Sequence, residues 1–195
     1  MIADAVARLR GEHGLPVDPD RRGPVPLNRF FEECTVRHVA IPGLTLGAVA
    51  AHLRADGVDA DDLGDPATTL AGFLFASGRT GLAFMDAADI LPRRRFTAAH
   101  ELGHAVLHRG RMSRFLDAAI SETDDTTAEI EREANRFAAE LLMPEAVVRA
   151  RADELRREYR ACPRPVLAHR LASELLVSVQ AARYRLKSLG VGDDD

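Results

Sequence analysis

Residues 96–108 read FTAAHELGHAVLH, and within them His100 and His104 stand four residues apart with Glu101 directly after the first. In an α-helix, residues at this spacing lie about 40° apart around the axis and one turn along it, so two imidazoles converge on one point. Both rings can then reach the roughly 2.0–2.1 Å that zinc–nitrogen bonds require. The stretch therefore predicts a zinc-binding helix with His100 and His104 as metal ligands.

Glu101 is predicted to be the catalytic base beside that metal. Its carboxylate projects next to the ion, where it can take a proton from a water that zinc has made more acidic. The helix also carries an apolar stripe, and the histidine pair lies on the flank of this stripe, as expected for ligands that face a cleft. The stripe consists of Ala99, Leu102, Gly103 and Val106. The alternative interpretation is a histidine pair at the edge of a core helix, satisfied by hydrogen bonds.

A catalytic zinc also needs a third protein ligand and an open fourth position. The extended pattern HExxHxxGxxH is absent, because Leu107 and Gly110 occupy its glycine and final histidine positions. His108 lies one turn beyond His104, but three ligands on one straight helix surround an ion poorly. We therefore expect His108 to lie beside the ligands or on the surface, and the third ligand to come from another helix.

The segment TAEIEREANRFAAELLMP supplies candidates on a second helix. Its apolar stripe is formed by Ile130, Ala134, Phe137 and Leu141. Glu131 and Glu133 flank this stripe on opposite sides, and helix geometry alone does not choose between them. Glu129 and Glu140 fit a solvated charged face better.

The pair of blocks FTAAHELGHAVLH and EREANRFAAELLMP resembles the ImmA/IrrE family of metallopeptidases, and the similarity covers roughly residues 25–190. The lead-in at residues 93–96 and the closing LASELLVSVQAARYRLKSLG are also similar. This resemblance implies a zincin whose third ligand is a glutamate on the following helix. The glutamate directly before Ala134 matches best, so the resemblance favours Glu133 as third ligand, with Glu131 as the alternative.

The same resemblance implies a function. It predicts a zinc-dependent endopeptidase whose protein substrate is a helix-turn-helix transcriptional repressor, cleaved in a stress or mobile-element response. The competing hypothesis is a non-enzymatic zinc-containing regulator that binds DNA or a partner protein. A glutamate at position 101 argues against that hypothesis, since a purely structural zinc site has no use for a base. Tyr159, Tyr184 and His169 are candidates for stabilising the oxyanion, and the sequence does not rank them.

The fold class is predicted to be α+β: a small antiparallel sheet with a β-hairpin, packed on a zincin-like helical body. The hairpin is indicated by two apolar runs on either side of residues 77–81, and helices are predicted at 97–109, 126–142, 145–160 and twice within 164–189. The predicted organisation is an N-terminal helix and loop (1–24), a metallopeptidase domain (25–190) and an acidic tail (191–195).

The closing residues 164–190 have the spacing of a helix-turn-helix, with Ser178 as the N-cap of the second helix. A DNA reader is one interpretation. However, 26 basic against 30 acidic residues give a net charge of −4, which disfavours direct nucleic-acid binding. A structural or substrate-docking role is expected instead. The run Arg93–Arg95 has two interpretations, contact with an acidic substrate segment or simple exposure.

The remaining composition predicts an ordinary globular chain. Of 195 residues, 46% are hydrophobic and 29% charged, and no apolar run approaches the roughly 20 residues of a membrane span. The first residues lack the apolar stretch of a signal peptide. Cys34 and Cys162 are far apart and imply no disulfide framework. A cytoplasmic protein without a membrane partner is expected.

Overall fold

The structure is a computed structural model that describes residues 2–12, 14, 17–20, 22–60, 63–109, 125–159 and 163–192. The interpretations of Cys162 and of the acidic residues 193–195 fall outside this range. The helices are α1 (Ile2–Glu12), α2 (Leu27–Glu33), α3 (Leu46–Ala55), α4 (Leu91–Leu107), α5 (Asp125–Leu142), α6 (Glu145–Glu158), α7 (Arg164–Leu175) and α8 (Val179–Ser188). The strands are β1 (Val36–Ile41), β2 (Gly72–Ser77) and β3 (Thr80–Asp86).

The α+β class is confirmed, and the sheet has the strand order β1-β3-β2. β2 and β3 form the predicted antiparallel hairpin, which turns at Gly78 with a φ of 58°. This positive φ is accessible to glycine at little cost. β1, however, pairs parallel to β3, so the sheet is mixed and the prediction of a purely antiparallel sheet is wrong. The reason is that α3 lies between β1 and the hairpin in the chain and serves as the crossover that parallel pairing requires.

The two faces of the sheet belong to two apolar clusters. Phe73 and Phe84 pack in one cluster with α3, which contributes Leu46, Val49 and Leu53. Their neighbours along the strands, Leu74 and Ala83, point to the opposite face and join the apolar cluster of the helical body. This alternation follows from the two-residue period of strands. As a result, α4 of the helical body packs against β2 and β3.

The helix of the histidine motif, α4, begins at Leu91, earlier than the predicted residue 97. Pro92 in its first turn suits a helix start, because the missing N–H would have had no partner there. The arginine run therefore lies within the first turns of α4. Arg93 pairs with Asp89 (Nε to Oδ2, 3.0 Å), and Arg95 donates to the backbone oxygen of Val25 at 2.9 Å.

α5 packs closely on α4 at Gly103. A Cβ at this position would lie 3.0 Å from Cδ1 of Phe137 and 3.3 Å from Cα of Ala134. Both distances are tighter than an ordinary van der Waals contact. Glycine therefore permits a helix separation that a larger residue would prevent.

Two helices lie within residues 164–189 as predicted, and a short segment joins α7 to α8. Leu176 adopts a left-handed φ of 52° after α7, and the Ser178 hydroxyl accepts a hydrogen bond from the N–H of Ala181 at 3.0 Å.

At the other end of the chain, Val6 and Leu9 of α1 are buried in the same apolar cluster as the helical body. Within the described residues, no helix combines the length and the hydropathy needed to cross a membrane.

Candidate metal centre

His100 and His104 face each other on α4. Their Nε2 atoms lie 2.9 Å apart, and their rings make an edge-to-face contact. His104 is buried, while His100 keeps part of its surface open. The i,i+4 spacing therefore brings the two nitrogens to one point, as the sequence predicts.

Glu131 of α5 completes the group. Its Oε2 lies 3.1 Å from Nε2 of His100 and its Oε1 lies 3.2 Å from Nε2 of His104. Burial raises the pKa of Glu131, but hydrogen bonds from the two imidazoles outweigh this effect and lower the pKa to about 2. The carboxylate is thus held in the charged form that a cation requires.

The donor set fits a divalent metal such as zinc. Two imidazoles and one carboxylate are a common catalytic zinc set, and the three ligand atoms all lie within 4.8 Å of one another. Ligands of a tetrahedral ion at roughly 2.0–2.1 Å would lie about 3.3 Å apart. The separations of 2.9, 3.1 and 3.2 Å come close to that value.

The structure does not bring Glu133 to the histidine pair, contrary to the choice that the resemblance favours. Oε2 of Glu133 instead lies 3.0 Å from Nε2 of His108. Glu131 and Glu133 are two residues apart and point to different sides of α5, so only one of them can face the pair. The alternative residue, Glu131, has the position expected for the third ligand.

His108 connects Glu133 to the pair. It is fully buried, and its Nδ1 lies 3.1 Å from Nδ1 of His104. Each four-residue step along α4 advances about 40° around the axis, so the third histidine reaches the flank of α5 where Glu133 lies. The predicted place of His108 beside the ligands agrees with this arrangement.

Metal binding through Nε2 would fix the tautomers of His104 and His108, which are hydrogen-bonded in series to Glu133. His104 must then carry its proton on Nδ1 and donate it to Nδ1 of His108. His108 in turn carries its proton on Nε2 and donates to the carboxylate of Glu133. On the other side, Nδ1 of His100 lies 3.2 Å from Oδ1 of Asn135 and can donate to it. Each of the two histidines thus has an acceptor behind it.

Glu101 is buried beside the pair, with 7% of its surface exposed. Burial raises the pKa of Glu101 to about 7, the charge on His100 opposes that rise, and the neighbouring Glu131 adds to it. The carboxyl group reaches Gly72 of β2 so closely that a Cβ there would lie 2.6 Å from Oε1 of Glu101. Glycine at this position makes room for the carboxylate against the strand.

These side chains open into a pocket of about 370 Å³. Its walls come from β2, α4 and α5, and they include Gly72, Thr97 and Arg93 in addition to the histidines and glutamates. Tyr159, Tyr184 and His169 do not line this pocket. The structure therefore brings none of the three oxyanion candidates to the site.

Sequence reasoning did not assign roles to Asn135 and Gly72. Asn135 lies four residues after Glu131 and so shares its face of α5, a signal that the spacing contains. Gly72 carries no such signal, because its role depends on a contact between a strand and a helix that are distant in the chain.

One comparison with known proteins found a match. The family model described as Peptidase_M78, IrrE N-terminal-like domain, matches residues 62–187. This range contains β2, β3 and the helices α4 to α7, together with nearly all of α8. A search of curated proteins found no match to the chain.

Proposed function

The chain belongs to the Peptidase_M78 family, and from that premise we propose that it is a zinc-dependent endopeptidase. The observation that carries the proposal is the convergence of His100, His104 and Glu131 next to the buried carboxyl group of Glu101. A set of three ligands with a base at an open pocket is the arrangement of a catalytic metal site.

His100 and His104 would hold the metal through Nε2, and Glu131 through a carboxylate oxygen. A bound zinc ion supplies Lewis acidity toward the peptide carbonyl and makes water more acidic. Asn135 and His108 orient the two imidazoles by accepting their Nδ1 protons. Glu133 fixes the orientation of His108 and completes this support.

Glu101 moves the proton in this proposal. Its carboxylate takes a proton from the attacking water and then delivers it to the nitrogen of the leaving amine. Burial favours this role, because a carboxylate in a dry pocket has a higher proton affinity than one in water. The carboxyl group lies so close to Gly72 that there is no room for a Cβ at that position, which limits movement of the group toward β2.

β2 offers a binding edge for an extended peptide. Within the described sheet it pairs on one side only, with β3, and residues 71–74 line the pocket. The unpaired backbone groups of an edge strand can bind another strand, which would lay a substrate segment across the site.

The central test is Glu101→Gln. We expect the variant to bind zinc with unchanged stoichiometry and to lose at least about a hundredfold in peptide cleavage, the lower end of the contribution of a general base. Elemental analysis and cleavage of fluorescently labelled casein measure the two quantities. Glu145→Gln, a change at an exposed glutamate of α6, is the control and should retain activity. A fully active Glu101→Gln variant would refute the assigned base.

We propose further that the substrate is a helix-turn-helix transcriptional repressor in the cytoplasm, cleaved in a stress or mobile-element response. The support is the family to which the chain belongs and the motifs that resemble ImmA/IrrE peptidases. The test is incubation of the zinc-loaded protein with a repressor encoded beside its gene, with the products identified by mass spectrometry. An intact repressor after incubation with a casein-cleaving preparation would exclude this substrate.

A non-enzymatic regulator is the second candidate, and one observation favours it. α7 and α8 border a groove of about 700 Å³ whose lining includes Arg164, Arg183 and Lys187. Cations along the second helix of a helix-turn-helix are compatible with contacts to phosphates. Duplex DNA binding that weakens steeply with salt, together with no cleavage by the zinc-loaded protein, would favour this candidate.

A further inference from the structure

A second groove, of about 920 Å³, lies next to the metal pocket. We call it the α8 groove, because one of its walls is α8, and its lining includes Ile90, Arg136, Glu140, Tyr184 and Arg185. The α8 groove shares three lining residues with the metal pocket, namely Arg93, Phe96 and Asn135. The two cavities therefore adjoin, and a chain that extends from the metal pocket past these residues would reach the groove.

Large apolar side chains border the α8 groove at the protein surface. Ile90 is 70% exposed and Tyr184 is 66% exposed. Exposure of such side chains is unfavourable in water, and grouped exposed apolar residues with polar neighbours mark interaction sites. The floor contains Met143, which is buried and whose flexible side chain suits a surface that binds varied apolar groups.

The charged residues that line the α8 groove are mostly basic. Among its described lining residues the only carboxylate is that of Glu140, and Arg185 pairs with it. Arg136 is exposed and has no ion-pair partner within the described residues. Arg93 contacts Asp89, outside the groove lining, through Nε. The lining thus carries an excess of positive charge next to apolar side chains.

We propose that the α8 groove docks a segment of the protein substrate that carries Asp or Glu next to large apolar side chains. This inference rests on the proposed peptidase function and adds a determinant of its specificity. The occupant is part of the cleaved polypeptide because the groove adjoins the metal pocket and its lining complements an acidic, apolar segment. The helix-turn-helix of this chain thereby contributes α8 to substrate recognition.

The distance between the two sites sets the register of the docked segment. From His100 back to Ile90, α4 rises about 15 Å at 1.5 Å per residue. An extended chain covers this distance in about five residues at roughly 3.3 Å each. An apolar side chain that contacts Ile90 is therefore expected about five residues from the cleaved bond.

Binding can be tested without turnover by using the Glu101→Gln variant as a trap. Random dodecamer peptides displayed on phage are selected on this variant, and the selected pool is sequenced. We expect enrichment of Asp and Glu together with Leu, Ile and Phe. A synthetic, fluorescein-labelled peptide from the pool should then bind roughly tenfold more weakly when Arg136→Glu is added, because one attraction at an exposed site becomes a repulsion. Raised salt should reduce this difference.

The matched control is Arg170→Glu, the same charge change at an exposed arginine of α7 that does not line the groove. It should leave the affinity within about twofold. Tyr184→Ala provides a second variant at an exposed position and should also weaken binding. A pool without acidic enrichment, or equal affinities of the Arg136→Glu and Arg170→Glu variants, would overturn the proposal. The binding assay needs no cleavage. Failure of the docking proposal can therefore be distinguished from failure of the proposed peptidase function.

Discussion

The different surroundings of Glu131 and Glu133 lead to a quantitative prediction for zinc affinity. Glu131 contacts both histidines of the pair, whereas Glu133 contacts only His108. Structural zinc sites with four ligands bind with about 10–16 kcal/mol, or roughly 2.5–4 kcal/mol per ligand. Glu131→Gln, which removes an anionic ligand, should therefore weaken zinc binding by roughly 70- to 800-fold.

Glu133→Gln should have a much smaller effect. The amide oxygen of glutamine can still accept the Nε2 proton of His108, so the orientation of His104 is retained and only the charge is lost. Changes behind a ligand typically cost 10–100-fold in metal affinity, and we expect about tenfold here.

The measurement is competition for zinc between the metal-free protein and a fluorescent chelator of known affinity. Glu129→Gln, an exposed carboxylate on the same helix, serves as the control and should bind like the unmodified chain. Thermal unfolding of the metal-free variants checks that each is folded. A larger loss for Glu133→Gln than for Glu131→Gln would show that the ligand assignment is reversed.

Two further predictions concern glycines at the site. Gly103→Ala should lower the free energy of unfolding by roughly 1–3 kcal/mol in urea denaturation, because its Cβ would press on Phe137. Gly11→Ala in α1, where nothing lies within 4 Å, should not destabilise, and equal losses in both variants would contradict the packing argument. Gly72→Ala should reduce cleavage while zinc content stays constant, because its Cβ would collide with Cγ2 of Thr97 and displace the carboxyl group of Glu101. An unchanged rate would show that Glu101 does not depend on this contact.

The local features of the fold could be predicted from the sequence. The histidine pair follows from helix periodicity, the hairpin from its glycine turn, and the start of α8 from the N-cap at Ser178. Each of these depends on residues that are close in the chain. The parallel pairing of β1 is different, since it depends on where the chain returns after α3.

The choice between Glu131 and Glu133 depends on how α5 is rotated about its own axis. That rotation is set by the contact of Gly103 with Ala134 and Phe137, which are about thirty residues further along the chain. The apolar stripe of α5 includes Ala134 and Phe137, but it does not show which of its two flanks lies toward the histidines of α4. The resemblance therefore indicated α5 and favoured Glu133, whereas Glu131, two residues earlier, is the glutamate that faces the pair.

Gly103 lies in the same stretch of α4 as the candidate ligands, and this has a consequence for how the site can evolve. The glycine sets the distance between α4 and α5, and that distance in turn sets the separation of the imidazoles from the carboxylate of Glu131. A larger residue at position 103 would widen the helix pair and the ligand group together. A substitution at position 103 therefore cannot raise metal affinity at the expense of stability, or the reverse. Both quantities depend on the same spacing between α4 and α5.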